Sequence, residues 1–274
     1  MEQLILAEGC NVAEVTMCAP AEVSELFQFA APWPELAAWF TRTQMLILLI
    51  PVIVIGLFWL ALRKPKLVPG KLQMAVESAY NLVRNDIGKD VIGPGGEKYV
   101  PYLLSVFMFV LIGNFYEITP FVNFPVTSRI AIPGFLAVFT WIIFVVAAVR
   151  KQGLAYFGHL IWPPGVPVAL KPLLGVIELV STLLVRPFSL AVRLFANLVA
   201  GHLMLSLLLG TAGTFIWASL TNPEIGYGKG ALGIAWFVMG LGIFMFEMLV
   251  AFLQAYIFTL LSAVYIQSSI HPDH

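Results

Sequence analysis

RPFSLAVRLFANLVAGH, residues 186–202, is the stretch on which the reading of this chain turns. It is apolar over most of its length, yet Arg193 stands near its middle, with Asn197 and His202 shortly after. A charged side chain near the bilayer centre costs about 2.5 to 3.5 kcal/mol on insertion scales, so such residues usually face a partner, a cavity or an ion path. Hydrocarbon is the right frame, because 60% of the 274 residues are hydrophobic and only 11% are charged. A typical soluble domain carries roughly 25% charged residues, and mean hydropathy here is +0.91. The chain therefore reads as an all-α, polytopic membrane protein. Its formal net charge of zero gives no footprint for a nucleic-acid partner.

The apolar runs place the spans. The first uncharged run, Met45 to Leu62, has the length of a membrane helix and is closed by Arg63, Lys64 and Lys66. Further spans fall at about 99–120 and 130–149. The runs at about 168–220 and 230–270 are each near forty residues or longer. Forty residues of helix extend about 60 Å, roughly twice the hydrocarbon thickness. Each long run is thus either two vertical spans or one long tilted helix. The interruptions are only Pro187 in the first and scattered glycines in the second, and proline kinks a membrane helix without necessarily ending it. Between the first two spans, Gly70 to Lys98 is polar and amphipathic.

Charge sets the expected orientation. Residues 63–98 hold seven Lys or Arg and residues 150–171 hold three, against one each in 120–130 and 219–229. The positive-inside rule puts the basic segments in the cytoplasm, the N-terminus outside and, with five spans, the C-terminus inside. Residues 1–40 form an acidic extracytoplasmic segment ahead of a membrane domain at 41–274. The segment has six acids and no base, and it lacks the basic start of a cleaved signal peptide. Its Cys10 and Cys18 are the only cysteines. An outside location would let them pair; the alternative is two free thiols, and their spacing fits no metal motif. No metal or other cofactor is expected. GPGGEK at 93–98 fails the spacing of a nucleotide-binding P-loop.

The polar residues at membrane depth divide by chemistry. Arg193 keeps its charge and cannot relay protons, whereas His202, Glu247 and Glu178 are of types that exchange them. Arg186 and Arg193 are seven residues apart and share a helix face, with Asn197 about 40° further round. His202, nine residues beyond Arg193, points to the opposite side. Glu247 and Gln254 also share a face. Asn114 and Glu117, in GNFYEITP, complete the set. A fixed cation among proton carriers suits an interrupted ion path. The bland alternative is that these groups pair and tie helices together. For Arg186, beside Pro187, snorkelling to the cytoplasmic interface is the simpler reading; Glu117 reads equally well as an interface residue. The glycines from Gly230 to Gly242 read as lipid contact and helix packing.

RPFSLAVRLFANLVAGH, together with FEMLVAFLQAYIFTLLSAVYI at 246–266, resembles subunit a of bacterial F-type ATP synthases, from about Met45 to Ile270. The resemblance implies five membrane-embedded helices, the last two a long, steeply tilted hairpin curving round a ring of c subunits, and an amphipathic surface helix near 72–90. It implies that Arg193 is the fixed barrier facing the c-ring. Asn197 and Gln254 would be its polar neighbours, His202 and Glu247 the outer half-channel pair, and Glu178 part of the inner half-channel. Glu178 lies one residue further from Pro187 than in several members. In some members the acid and the imidazole exchange places. Implied partners are the c-ring, b-type peripheral stalk subunits and, indirectly, the F1 sector, all in a bacterial plasma membrane with protons as the transported ion. A proton-coupled secondary transporter is the rival reading, but such folds usually carry two related halves, and nothing in the first 150 residues echoes RLFAN or LQAYIF.

Overall fold

The computed structural model describes residues 15–18, 42–119, 129–153, 155–162, 170–222 and 227–270. Cys10 and nearly all of the acidic lead lie outside them. The elements are α1 (Arg42–Leu62), α2 (Lys71–Asn81), α3 (Val100–Ile118), α4 (Ala131–Gln152), α5 (Ala155–Ile161), α6 (Lys171–Val180), α7 (Arg186–Thr221) and α8 (Tyr227–Ile270). The described residues are all-α. Five helical stretches are long and apolar enough to cross a membrane: Thr43–Leu62, Gly96–Ile118, Ala131–Gln152, Lys171–Thr221 and Tyr227–Ile270.

The ambiguity of the two long runs resolves in favour of continuous helix. α8 runs unbroken for 44 residues. In the other run, α6 passes into α7 through a widened turn at Ser181–Val185, and the Arg186 N–H bonds back to the Ser181 carbonyl, five residues earlier. The widening has a local cause. Pro187 has no N–H, and its ring crowds the carbonyl four residues before it; one turn of wider winding absorbs that conflict without ending the helix. The result is 51 residues of helix, about 76 Å at 1.5 Å per residue.

The amphipathic stretch expected near 72–90 is α2, continued by a similarly widened segment at Leu82–Lys89. GPGGEK forms the turn leading into α3. Gly93 and Gly95 have φ of 81° and 91°, a left-handed backbone that residues with a Cβ rarely adopt.

The chain forms two compact units, and α1, α3, α7 and α8 contribute residues to both. One comprises Ile47–Gly113, Arg129–Phe195 and Phe252–His274. Its core joins Leu103, Phe107 and Val110 of α3 to Leu136 and Phe144 of α4, Leu190 and Leu194 of α7, and Phe258 and Ile266 of α8. Ala137, Ala191, Ala255 and Ala263 lie buried among them. Lipid tails are as apolar as leucine, so close packing over small residues, more than transfer from water, holds such helices together.

The other unit comprises Met1–Leu46, Asn114–Ser128 and Ala196–Ala251. Here α7 and α8 run antiparallel. A Cβ on Gly230 would meet Ser219, one on Gly233 would meet Ile216 and Phe215, and one on Gly240 would meet Leu209. Gly230, Gly233 and Gly240 thus pack helix on helix, whereas an added Cβ on Gly228 or Gly242 of the same helix would meet nothing within 4 Å. Residues 15–18 also belong to this unit. The Thr211 hydroxyl accepts from the Cys18 N–H at 3.2 Å and donates to its carbonyl at 3.1 Å. Lys229 Nζ donates to the Val15 carbonyl at 2.6 Å, and Trp236 Nε1 to that of Thr16 at 3.0 Å. Cys18 is buried and disulfide-bonded, which corrects the free-thiol alternative.

Candidate functional site

Three helices of the second unit bring polar side chains to one place. α3 supplies Asn114 and Glu117, three residues apart and so on one face; α7 supplies Gly201 and His202; α8 supplies Glu247. Asn114, Glu117, His202 and Glu247 are all buried. His202 Nδ1 lies 3.9 Å from Glu117 Oε1. The Asn114 amide donates to the Ala251 carbonyl at 3.3 Å, one helical turn beyond Glu247. A Cβ on Gly201 would stand 2.5 Å from the Glu247 carboxyl carbon. The missing side chain at Gly201 is therefore the space that the carboxylate occupies.

The resemblance paired His202 with Glu247, and the residues alone left Glu117 undecided; the structure puts Glu117 beside His202. It also adds one residue that the sequence did not single out, Gly201, whose only signal was a small residue immediately before the histidine. Asn114 Oδ1 and Glu117 Oε1 are buried without a hydrogen-bond partner among the described residues. Leaving one buried polar atom unsatisfied costs roughly 1–3 kcal/mol. Two such atoms in one polar group suit a lining that holds water. Asn197, also in this unit, is half-buried.

The first unit holds the remaining candidates. Arg193 is exposed, while Leu190, Ala191 and Leu194 of the same helix are buried in the core. Among the described residues Arg193 makes no ion pair or hydrogen bond. Gln254 is buried, and its Nε2 has no partner among the described residues.

Arg186 is half-buried and tied to α8. Its Nη1 donates to Ser268 Oγ at 3.3 Å, and its guanidinium lies 5.3 Å from the Tyr265 ring centroid. Close by, Gln152 donates to the Ser269 carbonyl at 2.8 Å. Tyr156 of α5 is buried, and burial pushes its phenol above its ordinary pKa. The Ser269 hydroxyl and the Arg186 charge oppose that rise, and the Glu178 charge adds to it. Glu178, half-buried on α6, therefore shares its surroundings with Tyr156.

Comparison with known proteins gives one consistent result. A family model described as ATP synthase A chain matches residues 44–267. A protein named ATP synthase subunit a from Frankia alni is 44% identical over 221 residues, covering 80% of this chain and 73% of its own length. One of the same name from Nocardioides sp. is 38% identical over 235 residues, covering 85% and 83%. A third, from Pseudarthrobacter chlorophenolicus, is 39% identical over 245 residues, covering 88% and 89%. The match takes in every candidate site residue and leaves residues 15–18 outside.

Proposed function

The chain belongs to the ATP synthase A chain family, and from that premise we propose that it is the proton-conducting stator subunit of a bacterial F-type ATP synthase. The observation that carries this reading is the buried group of Asn114, Glu117, His202 and Glu247, built from three helices, in which Asn114 Oδ1 and Glu117 Oε1 have no hydrogen-bond partner among the described residues.

In this mechanism protons enter from outside through a pocket lined by His202, Glu117 and Glu247. They pass to a carboxylate on a ring of c subunits, travel with the ring, and leave by a second path near Glu178. Arg193 faces the ring. A guanidinium stays protonated at any pH a cell meets, so it accepts no proton from either path and blocks direct passage between them. Its positive charge also favours the ionised form of a carboxylate passing it, which promotes release on the correct side. Asn197 and Gln254 supply polar contacts beside it. A potential of 100 mV provides about 2.3 kcal/mol per proton moved, and this drives the ring against the load of ATP synthesis.

Helices as long as α8 and the run from Lys171 to Thr221 remain within a bilayer only by tilting steeply. Steep tilt gives both an extended face for a rotating ring. The segregation of Lys and Arg supports a cytoplasmic location for the loops after α1 and α4, with the N-terminus outside. ATP chemistry then resides on other subunits, and b-type stalk subunits hold this chain against rotation.

Affinity isolation from native membranes tests the assignment. A ring of c subunits and a peripheral stalk should copurify with this chain; a monodisperse chain with neither would point to an independent transporter. ATP-driven pumping measured without sodium identifies the coupling ion.

A further inference from the structure

The unit containing most of α1 and α3 has an open groove between those two helices. It has a volume of 510 Å³ and is walled by apolar residues including Val54, Phe58, Trp59 and Leu104, with Ser105 on one side and Arg63 at its end. That size is in the usual range for small-molecule sites. Arg63 lies over the Trp59 ring, 5.0 Å from its centroid. Val54 and Arg63 are nine residues apart, about 13 Å along a helix. One leaflet's hydrocarbon is about 15 Å deep, so the groove has leaflet depth with a guanidinium at the headgroup end.

The loop beyond Arg63 matches that geometry. Lys64 and Lys66 are exposed, and Leu67 and Val68 are 106% and 84% exposed, a mixture of bases and bare apolar side chains suited to a membrane interface. Gln73 holds the loop in place. Its side chain accepts from the Lys66 N–H at 3.2 Å and donates to the Lys66 carbonyl at 3.3 Å. Its amide also donates to Glu77 at 2.7 Å.

We infer that this groove binds an anionic glycerophospholipid from the leaflet on the side of the basic loop. One acyl chain lies between α1 and α3, and the headgroup phosphate meets Arg63 with Lys64 and Lys66 nearby. Charge complementarity selects this occupant: no acid lines the groove among the described residues, and a guanidinium pairs well with phosphate oxygens. Binding there would fasten α1 to α3 through lipid on a face where side chains leave space.

The test uses the whole ATP synthase complex reconstituted in vesicles containing acyl-brominated phosphatidylglycerol or acyl-brominated phosphatidylcholine. The fluorescence difference between wild type and Trp59→Phe isolates quenching at Trp59. The expected result is an approximately fivefold preference for phosphatidylglycerol, the scale of one basic side chain at an anionic surface. It should survive Arg63→Lys, fall toward unity in Arg63→Gln, and shrink with salt. Equal quenching by the two lipids would overturn the inference. So would a Trp59 signal that neither lipid quenches, since a helix of another subunit would then cover the groove.

Discussion

His202 Nδ1 stands 3.9 Å from Glu117 Oε1, with both side chains buried, so α7 and α3 present their ionisable groups to one another. The separation is too long for a direct hydrogen bond and suits a bridge through one water. Glu117→Gln removes the proton-exchanging group and keeps the shape. ATP-driven proton uptake in inverted vesicles should fall by about tenfold or more. Glu97→Gln, which alters an exposed carboxylate paired with Arg84 and Lys89, should leave uptake within twofold. Equal effects of the two substitutions would remove Glu117 from the path.

Gly201 tests the geometry around Glu247. Alanine there puts a methyl group where the carboxylate stands, and the flexible Glu247 side chain must swing away from its place to make room. Gly201→Ala should depress pumping strongly in assembled complexes. Gly213 is on the same helix with nothing within 4 Å of an added Cβ, and Gly213→Ala should have little effect. Normal pumping by Gly201→Ala would show that Glu247 needs no fixed position.

The lead segment offers a structural prediction. Thr211→Val removes both bonds to Cys18, so hydrogen exchange at the Cys18 amide should quicken roughly tenfold. Thr214, whose hydroxyl bonds to the Gly210 carbonyl of its own helix, is the control, and Thr214→Val should leave that exchange unchanged. An unaltered rate in Thr211→Val would mean that residues 15–18 are held by something else.

Much of this was legible in the sequence because hydrocarbon restricts what a chain can do. Apolar runs mark spans, and Arg193 is conspicuous because charge at depth is expensive. The continuity from Lys171 to Thr221 was legible through the family resemblance and not through hydropathy, which measures composition, whereas continuity depends on the widened turn that accommodates Pro187. Glu117 stayed ambiguous because it lies beside the last residue of α3, and only packing against His202 separates an interface residue from a buried one. Gly201 carried no periodic signal, since its importance lies in an atom it lacks. The clasp on residues 15–18 joins Cys18 to Thr211 and Val15 to Lys229, contacts between distant parts of the chain that no local pattern announces.

The most direct measurement is ATP-driven proton uptake by inverted vesicles in which every copy of this chain carries Arg193→Ala. Coupled uptake and ATP synthesis should both be abolished in fully assembled complexes, with passive leak through the open path permitted. Arg193→Ala vesicles that still pump protons on ATP would contradict the role of Arg193 as the fixed charge between two proton paths.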